Sequence, residues 1–391
     1  PPPLFQAEDG IRDIVARLVG SEMCIRDRYD ELLDSTLPDT RYFAEDLVAY
    51  FPSQLRATFG DIVPSHRLAR QIICTIVTNE VVNRAGSTFV FRLAEETGVE
   101  PADIVRAYVV AREVFAQKEI WERIEALDNV VDARIQADML LEGRKLVERA
   151  ARWFVRNRPQ PLDIGEAVQF FSSGIAEVAS SLRDHLHAQS RATIESRAST
   201  WARAGVPEDL AHRIASFNEL LSALDVVGVS VYRGIDVKQV ADVYYTLGAR
   251  LELQWLRDQI NALPRNDRWQ ALGRDALRDD LYTQQRAMTS DVLKVAQEDS
   301  PPLQRVDDWL AANSLATDRC RKLMDDLRAK GSIDYTMLSV ALREIRGLRQ
   351  LAAPQPISNL PGTTAGAKGN GEDATVVKQT EPDAPGARPH H

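Results

Sequence analysis

Apolar residues recur at helical spacing along most of the chain from residue 29 onward. Leu68, Ile72 and Ile76 fall on one stripe of a segment that runs from Pro64 to about Arg84. Spacings of three and four residues place side chains on one face of an α-helix, whereas a half-buried strand alternates apolar and polar positions. The same periodicity predicts further helices as far as residue 352. We therefore expect an all-α fold class.

Typical signals for helix ends divide this pattern into segments. Asp163 with Glu166 has capping-box spacing, and Asp236 stands before another apolar stripe as a plausible N-terminal cap. Gly86 and Gly98 stand where helices end, since glycine readily takes the left-handed conformation. These signals predict many helices of moderate length joined by short turns.

The best internal boundary is the Pro159-Gln160-Pro161 stretch, because two prolines separated by one residue favour extended backbone. It predicts two helical lobes, residues 29–158 and residues 159–352. The only strand candidate is the β-branched run 226–232. With no partner strand in view we favour helix there, and we expect no nucleotide-binding sheet.

Both ends of the chain differ from the helical part. Residues 6–28 read QAEDGIRDIVARLVGSEMCIRDR. This stretch resembles translated sequencing-adaptor read-through, so residues 1–28 are excluded from the fold prediction as an expected adaptor artefact. Residues 353–391 are rich in proline and glycine and have no apolar period, which predicts a disordered tail.

Charge and composition exclude several classes of protein. The net charge of −9 argues against a nucleic-acid surface, which needs clustered lysine and arginine. No apolar run approaches the roughly 20 residues that span a bilayer, so we expect no membrane association. Cys24, Cys74 and Cys320 are too few and too scattered for a disulfide framework, which indicates a reducing, cytoplasmic location.

We find no assembled catalytic, cofactor-binding or metal-binding residues. Neither G-x-G-x-x-G after a strand nor G-x-x-x-x-G-K-[ST] occurs, so this segment is expected to bind no cofactor. His185 and His187 are two residues apart and would point in different directions on a helix. Cys74 fits a core position. The tryptophans are expected to be core or interface anchors, and three acidic pairs to be solvated helix faces: Asp279-Asp280, Asp307-Asp308 and Asp325-Asp326.

Asn83 and Arg84 are the candidate contact residues. They stand at a predicted helix end, just before Gly86. One interpretation is helix capping, since an arginine can approach the last carbonyls. The other is that Asn83 and Arg84 make specific polar contacts with another domain. The two interpretations are compatible.

Six short stretches occur in a fixed order and carry a family resemblance. They are YDELL from Tyr29, VNRAG with TFV from Val82, EETG from Glu95, WFVRNRP from Trp153, DRWQAL from Asp267 and LRDDLY from Leu277. Each looks like part of the region after the catalytic core of the bacterial large-type NAD-specific glutamate dehydrogenases. Each stretch alone is modest in specificity, but the ordered set is strong.

The resemblance implies that this chain is the helical C-terminal region of a much longer subunit. In that family, regulatory domains and then catalytic and nicotinamide-binding domains precede this region, and subunits form homo-oligomers. The parent enzyme would use NAD to convert glutamate to 2-oxoglutarate and ammonia. The family's catalytic residues match no position here, so we expect an inactive segment whose partners are the catalytic and regulatory domains of its own subunit. The alternative is a free-standing helical protein-interaction module.

Overall fold

The structure is a computed structural model that describes residues 41–295 and 300–352. Within these two ranges the ordered elements are α-helices and two short 3-10 segments, with no strand, so the all-α prediction is confirmed for them. The expected adaptor stretch at residues 1–28 and the expected disordered tail at residues 353–391 lie outside the described residues.

The α-helices are numbered in chain order. They are α1 (Ala44–Tyr50), α2 (Ser53–Phe59), α3 (Ala69–Ala85), α4 (Phe89–Thr97), α5 (Pro101–Val114), α6 (Gln117–Glu125), α7 (Ala133–Asn157), α8 (Ile164–His185), α9 (Ala188–Arg203), α10 (Glu208–Ala215), α11 (Phe217–Leu220), α12 (Ala223–Arg233), α13 (Val237–Arg250), α14 (Leu253–Ala262), α15 (Arg268–Val295), α16 (Pro302–Ala312), α17 (Ser314–Ala329) and α18 (Tyr335–Ala352).

The predicted caps are confirmed. The Asp163 side chain accepts from the backbone N–H of Glu166 at 2.8 Å, and Asp236 accepts from Lys238 at 3.0 Å. Gly98 ends α4 with φ of 70°, a left-handed conformation that a side chain would strain. These local bonds explain why the helices begin and end where the sequence signals stand.

Two local predictions have different outcomes. The helix expected to begin at Pro64 begins at Ala69, because Pro64 lies in a 3-10 turn and His66 has extended backbone with ψ of 135°. The run 226–232 is confirmed as helix: it forms most of α12, and most of its side chains are buried. Its buried residues come first and its exposed residues, Val231 and Tyr232, come last, so the run shows no helical periodicity in the sequence.

The central helix is α5, which packs against both α7 and α8. Its residues from Ile104 to Val110 are buried, so it is surrounded on all faces. Two arginines lie on it, and Arg112 is 1% exposed. Glu80 and Glu113 both bond the Arg112 guanidinium. A buried charge is tolerated only when it is paired in this way.

The Pro159–Pro161 stretch lies in the turn between α7 and α8, as its composition indicates. Helix α8, which follows the turn, packs on α5, which precedes it in the chain. Both sides contribute to one buried cluster, with Phe154 before the turn and Phe171 after it in edge-to-face contact at 5.1 Å. The division into two lobes stays a prediction.

The tryptophans occupy different environments. Trp121, Trp201 and Trp309 are buried, Trp153 and Trp255 pack partly buried against the core, and Trp269 is 79% exposed. Trp269 is therefore not a core residue, and an interface role for it stays a prediction.

In the part of the chain that the structure describes, no single helix has both the length and the apolar composition needed to cross a membrane. One bent pair, Glu208–Ala215 with Phe217–Arg233, passes the same criteria jointly, with a 50° bend. Much of this pair is buried in the helical core, with Leu210, Leu220 and Val226 among its buried residues.

Candidate functional site

Asn83 and Arg84 lie in the last turn of α3. The Arg84 guanidinium bonds Glu125 on α6 at 2.6 Å and lies 4.7 Å from the ring centre of Trp121. Asn83 also has a partner. The backbone N–H of Gly86, whose φ is 92°, closes α3 by bonding the carbonyls of residues 81 and 82. Arg84 thus joins α3 to α6, while a contact with another domain stays a prediction.

His185 and His187 lie on either side of the turn between α8 and α9. The His185 ring stacks on Tyr245 at 5.0 Å between ring centres, and its Nδ1 lies 3.6 Å from Asp242. His187 instead caps α9, where its Nδ1 accepts from the Ser190 backbone N–H at 3.3 Å. The two rings make different contacts. No group of three metal-ligating side chains occurs in residues 41–295 and 300–352.

One serine–histidine contact occurs at this cap. Ser190 Oγ lies 3.4 Å from His187 Nε2, and Asp258 is close enough to His187 for the two to interact electrostatically. A catalytic histidine needs its Nδ1–H to donate to an orienting carboxylate. Here Nδ1 accepts the Ser190 N–H instead. The arrangement is therefore a helix cap and not a nucleophile with its base.

The paired aspartates at the middle of α15 diverge to different helices. Asp279 bonds Arg156 on α7, and Asp280 bonds Arg346 on α18 at 2.9 Å. Burial raises the pKa of Asp279, although Arg152 and Arg156 act in the opposite direction. The prediction of a solvated face is wrong for these two residues, because long-range partners cannot be seen in local sequence.

The two cysteines in the described ranges, Cys74 and Cys320, are buried. The core position predicted for Cys74 is thus confirmed. Burial raises the pKa of Cys320 to about 11, and Glu344 adds to the effect. A buried thiol held in its neutral form is a poor nucleophile.

A cleft of about 940 Å³ opens between helices of the bundle. We name it the arginine cleft. Its walls come from α4, α7, α9, α14 and α15, together with the short α11. The charged residues that line it are Arg92, Glu95, Glu96, Glu142, Lys145, Glu148, Arg149, Arg152, Arg197, Glu219, Asp258, Arg265, Arg268, Arg274, Asp275 and Arg278.

Six of its nine cationic side chains have a carboxylate within 3.1 Å. The pairs are Arg92–Glu148, Lys145–Glu142, Arg152–Glu96, Arg197–Glu142, Arg268–Glu95 and Arg278–Asp275. Several of these pairs join helices that are far apart in sequence. They stabilise the cleft walls, although exposed pairs such as Arg268–Glu95 contribute little.

Three arginines of the cleft have no close carboxylate among the residues that the structure describes. Within that part of the chain, Arg149 on α7 donates to neutral oxygens, those of Asn218 at 2.8 Å and Tyr282 at 3.2 Å. Arg274 lies 3.9 Å from Asp275, which bonds Arg278 more closely, and Arg265 is exposed without an ion pair among the described residues. The cleft therefore contains guanidinium groups whose charge is not compensated locally.

Burial and neighbouring charges shift several pKa values at the cleft. Burial lowers the pKa of Arg149, and the like charges of Arg278 and Arg257 add to the effect. Burial followed by the like charges of Arg265 and Arg278 also lowers the pKa of Arg274. On the acidic side, burial and then Glu219 raise the pKa of Asp258.

The sequence did not predict this cleft. Its arginines come from helices separated by more than one hundred residues, and each stands in an ordinary mixed-charge stretch. Three of the resemblance stretches cover part of it: EETG includes Glu95 and Glu96, DRWQAL includes Arg268, and LRDDLY includes Arg278. Local sequence predicts such residues to be solvated helix faces.

A second surface feature is the N-terminal apolar face, formed by Tyr50, Leu55, Phe59, Ile62 and Leu68. These side chains are between 44% and 61% exposed. Helix α2 buries none of its seven residues. Clustered exposed apolar side chains are typical of an interaction surface, whereas scattered ones need no explanation, and these five belong to one short stretch of the chain, residues 50–68.

The described residues contain no strand, so the strand–turn–helix that commonly holds a dinucleotide pyrophosphate does not occur among them. The arginine cleft presents cationic hydrogen-bond donors, and the N-terminal apolar face presents exposed hydrophobic side chains.

The family described as "Glutamate dehydrogenase, C-terminal" matches residues 27–347. A protein named NAD-specific glutamate dehydrogenase from Mycobacterium tuberculosis is 37% identical over 317 residues, which cover 81% of this chain and 19% of that protein. A protein of the same name from Pseudomonas aeruginosa is 39% identical over 324 residues, which cover 83% of this chain and 20% of that protein.

A third protein of the same name, from Halomonas elongata, is 34% identical over 320 residues, covering 82% of this chain and 20% of its own length. The chain thus spans about one fifth of the length of the curated relatives it matches. The resemblance seen in the sequence is confirmed over nearly all of residues 29–351. The chain belongs to the glutamate dehydrogenase family, in which it corresponds to the C-terminal region.

Proposed function

We propose that this chain is the non-catalytic C-terminal scaffold of an NAD-dependent glutamate dehydrogenase subunit. The parent subunit would convert glutamate, NAD and water to 2-oxoglutarate, ammonia and NADH. In this proposal the helical region docks against the catalytic and regulatory parts of the same subunit, which assembles into a homo-oligomer. This segment itself supplies no catalytic residue and binds no NAD.

The observation that carries the proposal is the N-terminal apolar face. A seven-residue helix that buries no side chain has little reason to be stable by itself, because isolated short helices are marginal in water. The matched segment is only 19% of one curated relative and 20% of another. Their remaining four-fifths could cover this face, which lies at the start of the described chain.

The alternative is a free-standing helical module that binds another protein through the same face. DNA sequence upstream of the Tyr29 codon distinguishes the two. A long in-frame extension that encodes a dinucleotide-binding strand–turn–helix supports the scaffold proposal. A start codon with its own promoter at that point supports the module.

The catalytic part of the proposal is tested with the purified 391-residue chain. We expect no NAD-dependent oxidation of glutamate and no saturable binding of NAD in equilibrium dialysis. The complete parent subunit, prepared in the same way, is the positive control. Turnover by the chain alone would contradict the proposal.

The docking part is tested in the complete parent subunit with the double variant Phe59→Ser and Ile62→Ser. If the face is covered by the rest of the subunit, polar residues there should lower glutamate oxidation and speed proteolytic release of the C-terminal region. The matched control is Val130→Ser with Leu315→Ser, two residues elsewhere that are at least as exposed. Equal behaviour of the two double variants would refute docking at this face.

A further inference from the structure

We propose that the arginine cleft binds a small dianion of the phosphate or dicarboxylate class, with Arg149 and Arg274, which both line the cleft, as its main hydrogen-bond donors. This proposal does not depend on the proposed docking role, because the cleft is formed by helices of this chain and does not include the N-terminal apolar face.

Two cleft arginines carry charge that no close anion of the described residues compensates. In this part of the chain, Arg149 hydrogen-bonds only the neutral oxygens of Asn218 and Tyr282. Arg274 has a carboxylate at 3.9 Å and a carbonyl at 3.5 Å, both long for a hydrogen bond. Burying a cation without a close anion costs free energy, which an incoming anion would recover.

The same two arginines have unused hydrogen-bond donors. The Nε–H groups of Arg149 and Arg274 are both buried, and neither has an acceptor within the described part of the chain. The Arg274 side chain is 13% exposed, so it lines the cleft while keeping limited contact with water. Donors in such a position bond an oxyanion more strongly than donors at the open surface.

A third arginine of the cleft, Arg278, acts on both of them. Arg278, itself 7% exposed, lies close enough to lower the pKa of both Arg149 and Arg274 by its like charge. Asp275 bonds Arg278 at 2.8 Å, and Asp279 also acts on Arg278 electrostatically. Over the described lining of the whole cleft, nine cationic side chains still exceed seven carboxylates by two charges, which favours a dianion over a monoanion.

The acidic residues of the cleft limit the size and shape of the ligand. The planar guanidinium fork bonds carboxylates and phosphates in a bidentate manner. Glu219 and Asp258 line the cleft as well, and their negative charge would repel an extended polyanion such as a nucleic acid. A compact dianion near the arginines avoids that repulsion and fits the available volume.

The experiment uses the 391-residue chain with two probes, inorganic phosphate and succinate, titrated by calorimetry and by thermal unfolding. Potassium chloride keeps the ionic strength constant, so that screening is the same throughout. We expect at least one probe to bind saturably and to raise Tm, because a ligand that binds only the folded state stabilises it. Tighter binding of phosphate or of succinate identifies the phosphate or the dicarboxylate class.

Two variants separate a specific site from general attraction. Arg274→Gln should weaken binding about tenfold or more, as expected for the loss of a charge-assisted hydrogen bond. Arg149→Lys keeps the charge but loses the planar fork, and should also weaken binding. Arg134→Gln removes one charge from an exposed position of α7 outside the cleft, and should bind like the unmodified chain.

Two results would overturn the proposal. If neither probe binds above the chloride control, the cleft is not an anion site. If binding survives unchanged in both Arg274→Gln and Arg149→Lys, the anion binds elsewhere. Neither outcome affects the scaffold proposal, which depends on the apolar face and on the activity of the parent subunit.

Discussion

At the scale of single residues, ion pairs join helices that are distant from one another in the sequence. Glu142 on α7 is an example, since its side chain accepts from Lys145 at 2.8 Å and is paired with Arg197 on α9 at 2.9 Å. Burial alone would raise the pKa of Glu142. The hydrogen bonds and charges of Arg197 and Lys145 outweigh burial and lower this pKa below its ordinary value of 4.5.

The substitution Glu142→Gln should destabilise the chain by about 1 kcal/mol at pH 7, a modest figure because both cationic partners are partly exposed. A carboxyl group whose pKa is lower in the folded state stabilises that state above its unfolded pKa. The contribution is lost as pH falls through the folded pKa. The difference between the two chains should therefore shrink steadily as pH falls below about 4.5.

Urea unfolding of both chains at about pH 7, 5 and 4, on either side of the ordinary glutamate pKa, measures this difference. Glu122→Gln is the control, because Glu122 is exposed and has no ion pair within the described residues. It should change the free energy of unfolding by less than about 0.5 kcal/mol at every pH. A Glu142→Gln penalty that stays constant with pH would show that the ion pairs contribute nothing.

At the scale of elements, two helical glycines allow a matched test of packing. A Cβ on Gly174 of α8 would lie 2.7 Å from Val227 Cγ2 of α12, whereas a Cβ on Gly347 of α18 would meet no described atom within 4 Å apart from its own helix backbone. Gly174→Ala should destabilise the chain by about 1–3 kcal/mol through overpacking. Gly347→Ala should stabilise it by about 0.5–1 kcal/mol, because alanine restricts the unfolded chain.

Thermal or urea unfolding of the two single variants should give shifts of opposite sign. Adding Val227→Ala to Gly174→Ala makes room for the new methyl group, so the double variant should be more stable than the sum of the two single changes predicts. Shifts of the same sign in both glycine variants would argue against close contact between α8 and α12.

The sequence predicted elements better than it predicted contacts. Local signals sufficed for the helix limits at Asp163, Asp236 and Gly98, because caps and turns are bonds between near neighbours. Local signals gave the wrong helix start at Pro64, because the extended backbone of His66 interrupts the apolar stripe. They also gave no sign that Gly174 is a packing residue, since the valine that it contacts comes from α12, far along the chain.

The candidate sites show the same limit. Arg84 was singled out from sequence as a helix-end or interdomain residue, and its bond to Glu125 depends on a fold that brings α6 beside α3. The arginine cleft was missed because no single stretch contains it. Local charge patterns predict solvated faces, and only the packed helices reveal which arginines lack a carboxylate.

At the scale of the whole molecule, the N-terminal apolar face predicts self-association of the 391-residue chain. The five apolar side chains of this face, which come from residues 50–68 and are roughly half exposed, would be covered by other copies when nothing else covers them. Light scattering at increasing concentration should show oligomers, and Phe59→Ser with Ile62→Ser should reduce them. Val130→Ser with Leu315→Ser removes as many exposed apolar groups, 66% and 72% exposed, and should leave association unchanged. A monodisperse monomer at high concentration would mean that this face is too small to drive docking of any kind.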